Sequence, residues 1–392
     1  MSRTTPTGPC SGLRVLEIAT MVAGPLAGQM LADLGAEVIK IEPVGGDPLR
    51  RVGPAHNGMT AMFLANNRHK KSIELDLKTP EGQDIARRIA ATADVFIENS
   101  RPGVMARLNL SYEDLRTVNP RLVYASVSGF GQTGPYVSRP AFDQVIQAVS
   151  GVMEIQGAGG EPQPLNTVLV DKYAGAATAS AITAALLHRE RTGEGQFVSV
   201  SLLDSFASLA LVDAIRNQTF KQLETPVPRV NINRPIRTAD GMLFGHVQTH
   251  AQAARVCRIF DREDLLEDPR FSTDRARTLN VRDLWGELEK VSQGLPTKDI
   301  MEKVVAAGAP LAAVNRVTDL LTDPQAMHNH TVVEFTDEEF GPIRVVNYPA
   351  RFEKSPARVE ARSPKLGEHT EEILRGLGLS TQHGEAPGST QN

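Results

Sequence analysis

Apolar and polar positions along this chain fall into short blocks that switch between strand and helix periods. Leu13-Arg14-Val15-Leu16-Glu17-Ile18 is a mostly apolar run of strand length. Thr20 to Gly28 then carries Gly24, Pro25 and Gly28, and an Ala- and Leu-rich stretch continues to Leu34. Pro25 suits the first turn of a helix, and Gly35 suits the position just past its end. Val38-Ile39-Lys40-Ile41 is a second strand that closes at Glu42-Pro43. Strand, turn, helix and strand within about 30 residues is the size of a βαβ unit, with parallel strands and a right-handed crossover.

The pattern repeats. Ser72 to Leu77 alternates like a strand, Thr79-Pro80 opens a helix through Ala91, and Asp94-Val95-Phe96-Ile97 is the next strand. Ser111-Tyr112-Glu113-Asp114 has capping-box spacing, so a short helix runs to Val118 before Pro120 stops it. A strand at Leu122 to Val127, helices near 142–150 and 172–190, and a strand at Gln196 to Ser201 complete the series. This alternation predicts an α/β fold with a largely parallel sheet. Beyond it, 224–240 holds Pro226, Pro228 and Pro235 and reads as an irregular crossing. Arg255 to Ala326 reads as short charged helices of a smaller domain, and Val332–Phe335 and Ile343–Val346 as returning strands. The residues after Leu379 are rich in Gly, Ser, Gln and Pro and read as a frayed tail.

The 392 residues allow two or three domains, and 41% hydrophobic with 22% charged residues excludes a largely disordered chain. A net charge of −4 argues against a nucleic-acid partner. An anionic ligand must then be held by local cations or helix N-termini. The two cysteines, Cys10 and Cys257, lack metal spacing and cannot build a disulfide framework. Met1 to Gly12 lacks an apolar leader core, and Ala176 to Leu187 is too short and too polar to span a bilayer. The expected setting is a reducing cytoplasm, with no membrane partner and no metal.

Several residues could carry chemistry. Gly129-Phe130-Gly131-Gln132-Thr133-Gly134 follows a strand and has the glycine spacing of a dinucleotide loop, with Glu154 further on. Pro135 and Pro140 interrupt the helix that such a site requires, which weighs against a nicotinamide enzyme. Gly24 and Glu42 stand where a parallel sheet can meet a phosphate or a ribose. Arg50, Arg51, Arg68, Lys70, Lys71, Arg101 and Arg107 form a basic group that reads either as a solvated face or as an anion site. Asp171 lies between the apolar run Asn166–Val170 and the helical stretch Ala174–Leu187. It reads as a helix N-cap or as a carboxylate aimed from a strand-to-helix junction to act as nucleophile or base. The histidines lack metal-site spacing, and neither a G-x-S-x-G elbow nor a P-loop is present.

Taken together, a series of blocks resembles the class III coenzyme A transferases and the related α-methylacyl-CoA racemases. They begin with Gly12–Glu17, Ala23-Gly24-Pro25 and Leu31–Glu42. They continue through Asn67-Arg68, Lys71–Lys78, Glu98–Gly103, Ser126–Gly131, Phe142-Asp143-Gln144, Thr192–Gln196 and Leu366–Thr370. The resemblance implies a nucleotide-fold-like large domain from residues 1–224 and 331–392, a small α+β domain at 225–330 with crossing linkers, and an interlocked homodimer. It implies an acyl-CoA donor and a small carboxylic acid acceptor, with Asp171 as nucleophile and Asp143 in support. Coenzyme A contacts fall on Met21, Val22, Leu75, Asn99 and Arg107. Pro43 replaces an arginine common after the acid at Glu42, which leaves the phosphates to Arg50, Arg68, Arg107 or their neighbours. The glycine-rich lid of formyl-CoA transferases has no counterpart at 225–265, which argues against formate and oxalate. The racemase branch needs a histidine before the aspartate at 143. Here Phe142 stands there, and the loss of that base favours transfer over racemisation.

Overall fold

Six short strands build one sheet in which every pairing is parallel. They are β1 (Arg14–Ile18), β2 (Glu37–Glu42), β3 (Lys71–Glu74), β4 (Val95–Glu98), β5 (Val123–Ser128) and β6 (Gln196–Ser201). Their order across the sheet is β3-β2-β1-β4-β5-β6. The computed structural model describes residues 8–157, 159–222 and 234–379.

The strands read as apolar runs because both faces are covered. Leu16, Ile41, Ile73, Phe96 and Tyr124 point to one face, where Ile85, Ala86 and Ile89 of helix α2 cover them. Helix α2 (Pro80–Ala91) starts where expected: Thr79 Oγ1 accepts the Gly82 N–H and Pro80 occupies the first helical position. Val15, Val38, Val95 and Ala125 point to the other face, under helices α1 (Ala23–Asp33) and α4 (Val170–Thr192). Between these lies α3 (Asp143–Ser150), and α5 (Leu202–Ala210) follows β6. Gly175 lets α1 and α4 meet closely, since a Cβ there would lie 2.8 Å from the Ala23 carbonyl oxygen.

Two compact units divide the chain. One comprises Met1–Arg216 and His328–Asn392, and the other Asn217–Met327. The second unit packs the helices His250–Ile259, Val281–Ser292 and Thr297–Ala307 with a three-stranded antiparallel sheet. Its core holds Trp285, Phe260, Phe271 and Cys257.

The returning strands expected at Val332–Phe335 and Ile343–Val346 are present, in the first unit. Val332–Asp337 and Gly341–Val346 pair with each other as an antiparallel hairpin and do not join the six-stranded sheet. The turn explains this. Asp337 Oδ1 accepts the N–H groups of Glu339 and Phe340, and Gly341 adopts φ 69°, so local pairing closes at once. The first part of the crossing at 224–240 and the tail after Leu379 lie outside the described residues. Among the described residues, no helix is long and apolar enough to cross a membrane.

Candidate active site

A sheet of order β3-β2-β1-β4-β5-β6 has its topological switch between β1 and β4, and ligands bind at the carboxyl ends of the strands there. A cavity of about 230 Å³ occupies that place. Thr20, Met21 and Val22 enter it from β1, Asn99 and Arg101 from β4, and Gly129, Phe130 and Gly131 from β5. Asp171 also lines it, the one carboxylate among the described residues that does.

The β1 turn is held from behind. Asn99 uses both ends of its amide on Thr20, accepting its N–H at 3.0 Å and donating to its carbonyl at 2.7 Å. Met21 sits at φ 66° and donates its N–H to Asp47 Oδ1 at 3.2 Å. Asp47 in turn pairs with buried Lys40, which also donates to Glu17 and to the Ala19 carbonyl. A non-glycine residue at positive φ is uncommon and persists here because its surroundings over-determine it.

Asp171 stands in the first turn of α4, but it is not that helix's cap. The N-cap position belongs to Leu169, whose side chain makes no cap bond. Capping comes from α3 instead. Asp143 Oδ2 accepts the N–H of Val170 at 2.7 Å and that of Asp171 at 3.2 Å, while its Oδ1 accepts from Gln147. Gln147 also accepts the Leu165 N–H at 2.9 Å, tying the segment before α4 to the same helix. Among the described residues none donates a hydrogen bond to the Asp171 carboxylate, which is therefore free to face the cavity. Burial, with the nearby Asp143 charge second, pushes Asp171 up to about 6.

The glycine loop has a packing role rather than a dinucleotide role. A Cβ on Gly129 would fall 2.1 Å from the Ala141 Cβ, so only glycine lets the loop lie against the segment leading into α3. No helix follows the loop before Asp143, so the dinucleotide arrangement is absent. Gly129, Phe130 and Gly131 of this loop line the cavity.

Most of the basic group is structural. Arg68 forks onto Asp33 at 2.9 and 2.6 Å with both side chains buried. Lys70 is buried against Glu17, the Pro25 carbonyl and Asn67, and burial lowers its pKa to about 8. Arg50 forks onto Glu42 and lies over the Phe63 ring, and Lys71 bridges Glu37 and Glu372. These four are neither a freely solvated face nor unpaired cations but partners of internal groups, and Glu42, fully buried, is engaged by Arg50, Ser72 and the Asp47 N–H. Arg51 donates to the Gly45 carbonyl. Of the remaining two, Arg101 lines the cavity and Arg107 is exposed in the short helix Val104–Arg107 outside it. Leu75 lies on the same carboxyl edge at the end of β3, packed on the core. Arg139 is a cavity cation that the sequence reading missed. It carried no local signal beyond standing just before Phe142-Asp143.

The parallel α/β sheet, with an unpaired carboxylate at its switch-point crevice, is a fold of the nucleotide-binding type. The description "CoA-transferase family III" matches residues 10–370, and the chain belongs to that family and is an enzyme of the CoA-transferase type. It is 37% identical over 383 residues to the succinate–glutarate CoA-transferase of Agrobacterium fabrum, covering 94% of this chain and 96% of that one. It is 35% identical to the succinyl-CoA:glutarate CoA-transferase of Mus musculus, covering 94% and 86%. A CAIB/BAIF family protein from Brucella suis superposes with a TM-score of 0.84 at 33% identity, covering 95% of this chain and all of that one.

Proposed function

We propose that the protein moves coenzyme A from an acyl-CoA to a free dicarboxylic acid through covalent intermediates on Asp171. The observation that carries this reading is the Asp171 carboxylate: half-buried, unpaired, and held by the Asp143 cap at the one crevice the topology creates. The similarity to succinate and glutarate CoA-transferases supports the acid class.

In this scheme ionised Asp171 attacks the thioester carbonyl of the donor. A mixed anhydride forms and CoA thiolate leaves, helped by a thiol pKa of about 8.5. The thiolate then attacks the Asp171 carbonyl of the anhydride, the donor acid departs, and an aspartyl-CoA thioester remains. The acceptor carboxylate attacks that thioester and the same two steps run backwards, so that no bond to water is made. Backbone N–H groups at Gly129 and Phe130 are assigned as oxyanion donors, since Gly131 already donates to Ser128 Oγ at 3.1 Å. One such donor contributes about 3 kcal/mol.

The CoA arm lies along the carboxyl edge. Met21 and Val22 flank the pantetheine, Asn99 holds the turn beside it, and Leu75 and Arg107 take the nucleotide end. Leu75 is three strands from Asn99, roughly 15 Å at a strand spacing of about 4.8 Å, which a long extended ligand spans. The unit of Met1–Arg216 and His328–Asn392 is assigned as the CoA-binding domain, with Asn217–Met327 the smaller one. The active form is an interlocked homodimer. Exposed Phe142, Val145 and Val149 on one face of α3 supply apolar surface for it. Both Cys10 and Cys257 are buried free thiols, in keeping with a cytoplasmic setting.

Incubation with acyl-CoA and an acid, followed by borohydride or hydroxylamine, tests the reading. Modification of the peptide bearing Asp171 is expected. Active turnover with that peptide unmodified would contradict it.

A further inference from the structure

The cavity at the switch point carries an electrostatic pattern that transfer chemistry alone does not require. Among the described residues its lining holds one anion, Asp171, and two cations, Arg101 and Arg139, on walls that mix apolar Val22, Phe130 and Leu202 with polar Asn99, Ser100 and Ser128. No carboxylate among the described residues pairs with Arg139. Its guanidinium instead lies 3.6 Å above the Tyr136 ring, and Tyr136 meets Phe130 of the glycine loop edge-on at 5.4 Å. Stacking fixes the plane of the guanidinium and leaves its charge uncancelled and its edge N–H groups available.

Its place in the chain ties it to the nucleophile. The segment from Arg139 runs through Pro140 and Ala141, packed beneath Gly129, into Phe142 and then Asp143, which holds the Asp171 N–H. Arg101 differs, since it also lines a neighbouring cavity beside Glu98 and Tyr124 and is shared between two spaces. A cavity of about 230 Å³ is below the roughly 300–1,000 Å³ of a site that encloses a whole drug-sized ligand. It accommodates the reacting end of an acyl-CoA, so a cation on its wall faces the acyl group rather than the distant diphosphate.

We propose that Arg139 is a specificity-determining residue that binds the far carboxylate of a dicarboxylic acid while the near carboxylate exchanges with Asp171. This rests on the transferase reading above. A carboxylate taken out of bulk water into the cavity is stabilised by a charge partner, and a planar guanidinium pairs it through two parallel hydrogen bonds. A monocarboxylic acid of equal length offers that guanidinium nothing.

The test compares glutarate with valerate, two acids of equal chain length that differ by one terminal carboxylate, in the wild type, Arg139→Gln and Arg139→Lys, with acetyl-CoA as donor. A charged hydrogen-bonded pair corresponds to about tenfold or more. The ratio of kcat/KM for glutarate over valerate is expected to fall by that much in Arg139→Gln and to recover in part in Arg139→Lys. Binding of free CoA is measured on the same proteins. Weaker CoA binding with an unchanged ratio marks a phosphate anchor and overturns the assignment, as does an unchanged ratio alone. A wild type that transfers CoA but does not prefer glutarate overturns it while leaving the transferase reading intact. A wild type that transfers CoA to neither acid removes both.

Discussion

The carboxylate of Asp143 accepts the backbone N–H of Asp171 at 3.2 Å, and so one acid caps the helix that presents the other. The pair divides two tasks. Asp143 is buried and fully engaged with Val170, Asp171 and Gln147. Asp171 is left with a free carboxylate whose pKa is raised to about 6 by burial and, secondarily, by its neighbour's charge. Asp143 thus holds the backbone that carries Asp171 and raises its pKa, the part of a positioning residue in the proposed cycle.

A pH profile should show this. In the proposed cycle only ionised Asp171 attacks the thioester, so kcat/KM is expected to rise with pH and level off above about 6. Asp143→Asn keeps an oxygen acceptor for the cap but removes the charge. Its acidic limb is expected to move to lower pH, with the plateau activity less affected than the limb. A limb unchanged in Asp143→Asn would deny the electrostatic coupling.

The same shift has a consequence for stability. A carboxyl whose folded pKa lies above its unfolded value near 3.8 favours the folded state when protonated, and that contribution is lost as pH rises from about 4 through about 6. Asp171→Asn is therefore expected to be more stable than the wild type at pH 7 by on the order of 1–3 kcal/mol, allowing for its partial exposure. Near pH 4 the two should be close. Thermal unfolding at the two pH values measures the difference, and equal stability at pH 7 would contradict a desolvated carboxylate.

Gly129→Ala is expected to cost about 1–3 kcal/mol and most of the activity, because the new methyl collides with Ala141 and pushes the segment that carries Asp143. The double variant Gly129→Ala with Ala141→Gly restores the space. Recovery of activity in the double variant, read by a steady-state assay, identifies packing as the cause. Failure to recover would point to backbone freedom at Gly129 instead.

Arg68 provides a contrast between structure and binding. Arg68→Leu leaves Asp33 buried without its partner and is expected to destabilise by about 3–5 kcal/mol in chemical denaturation. CoA affinity of the folded variant, measured by calorimetry, should stay near the wild-type value. A large loss of CoA affinity without loss of stability would return Arg68 to the ligand.

The local parts of this fold were legible in the sequence. Thr79-Pro80, Gly35 and the Ser111–Asp114 box act within a few residues, and the structure places helix ends at each of them. What depends on distant partners was not. Helix α4 begins at Val170, earlier than the expected 172, because its cap arrives from Asp143 on another helix. The basic group could be read either as a solvated face or as an anion site because Asp33, Glu17 and Glu37, which pair with several of its members, belong to α1, β1 and β2. Arg139 stood in a loop without periodicity, and only its packing against Tyr136 and its place on the cavity wall single it out.

Isotope transfer tests the covalent role of Asp171 most directly. In the proposed cycle one oxygen of each acceptor acid remains on the aspartate when the acyl group leaves as its CoA thioester. Turnover with acceptor acid labelled with heavy oxygen should therefore carry label into the peptide that contains Asp171 and into no other carboxylate, as read by mass spectrometry. Repeated turnover that leaves the Asp171 peptide unlabelled would contradict the account.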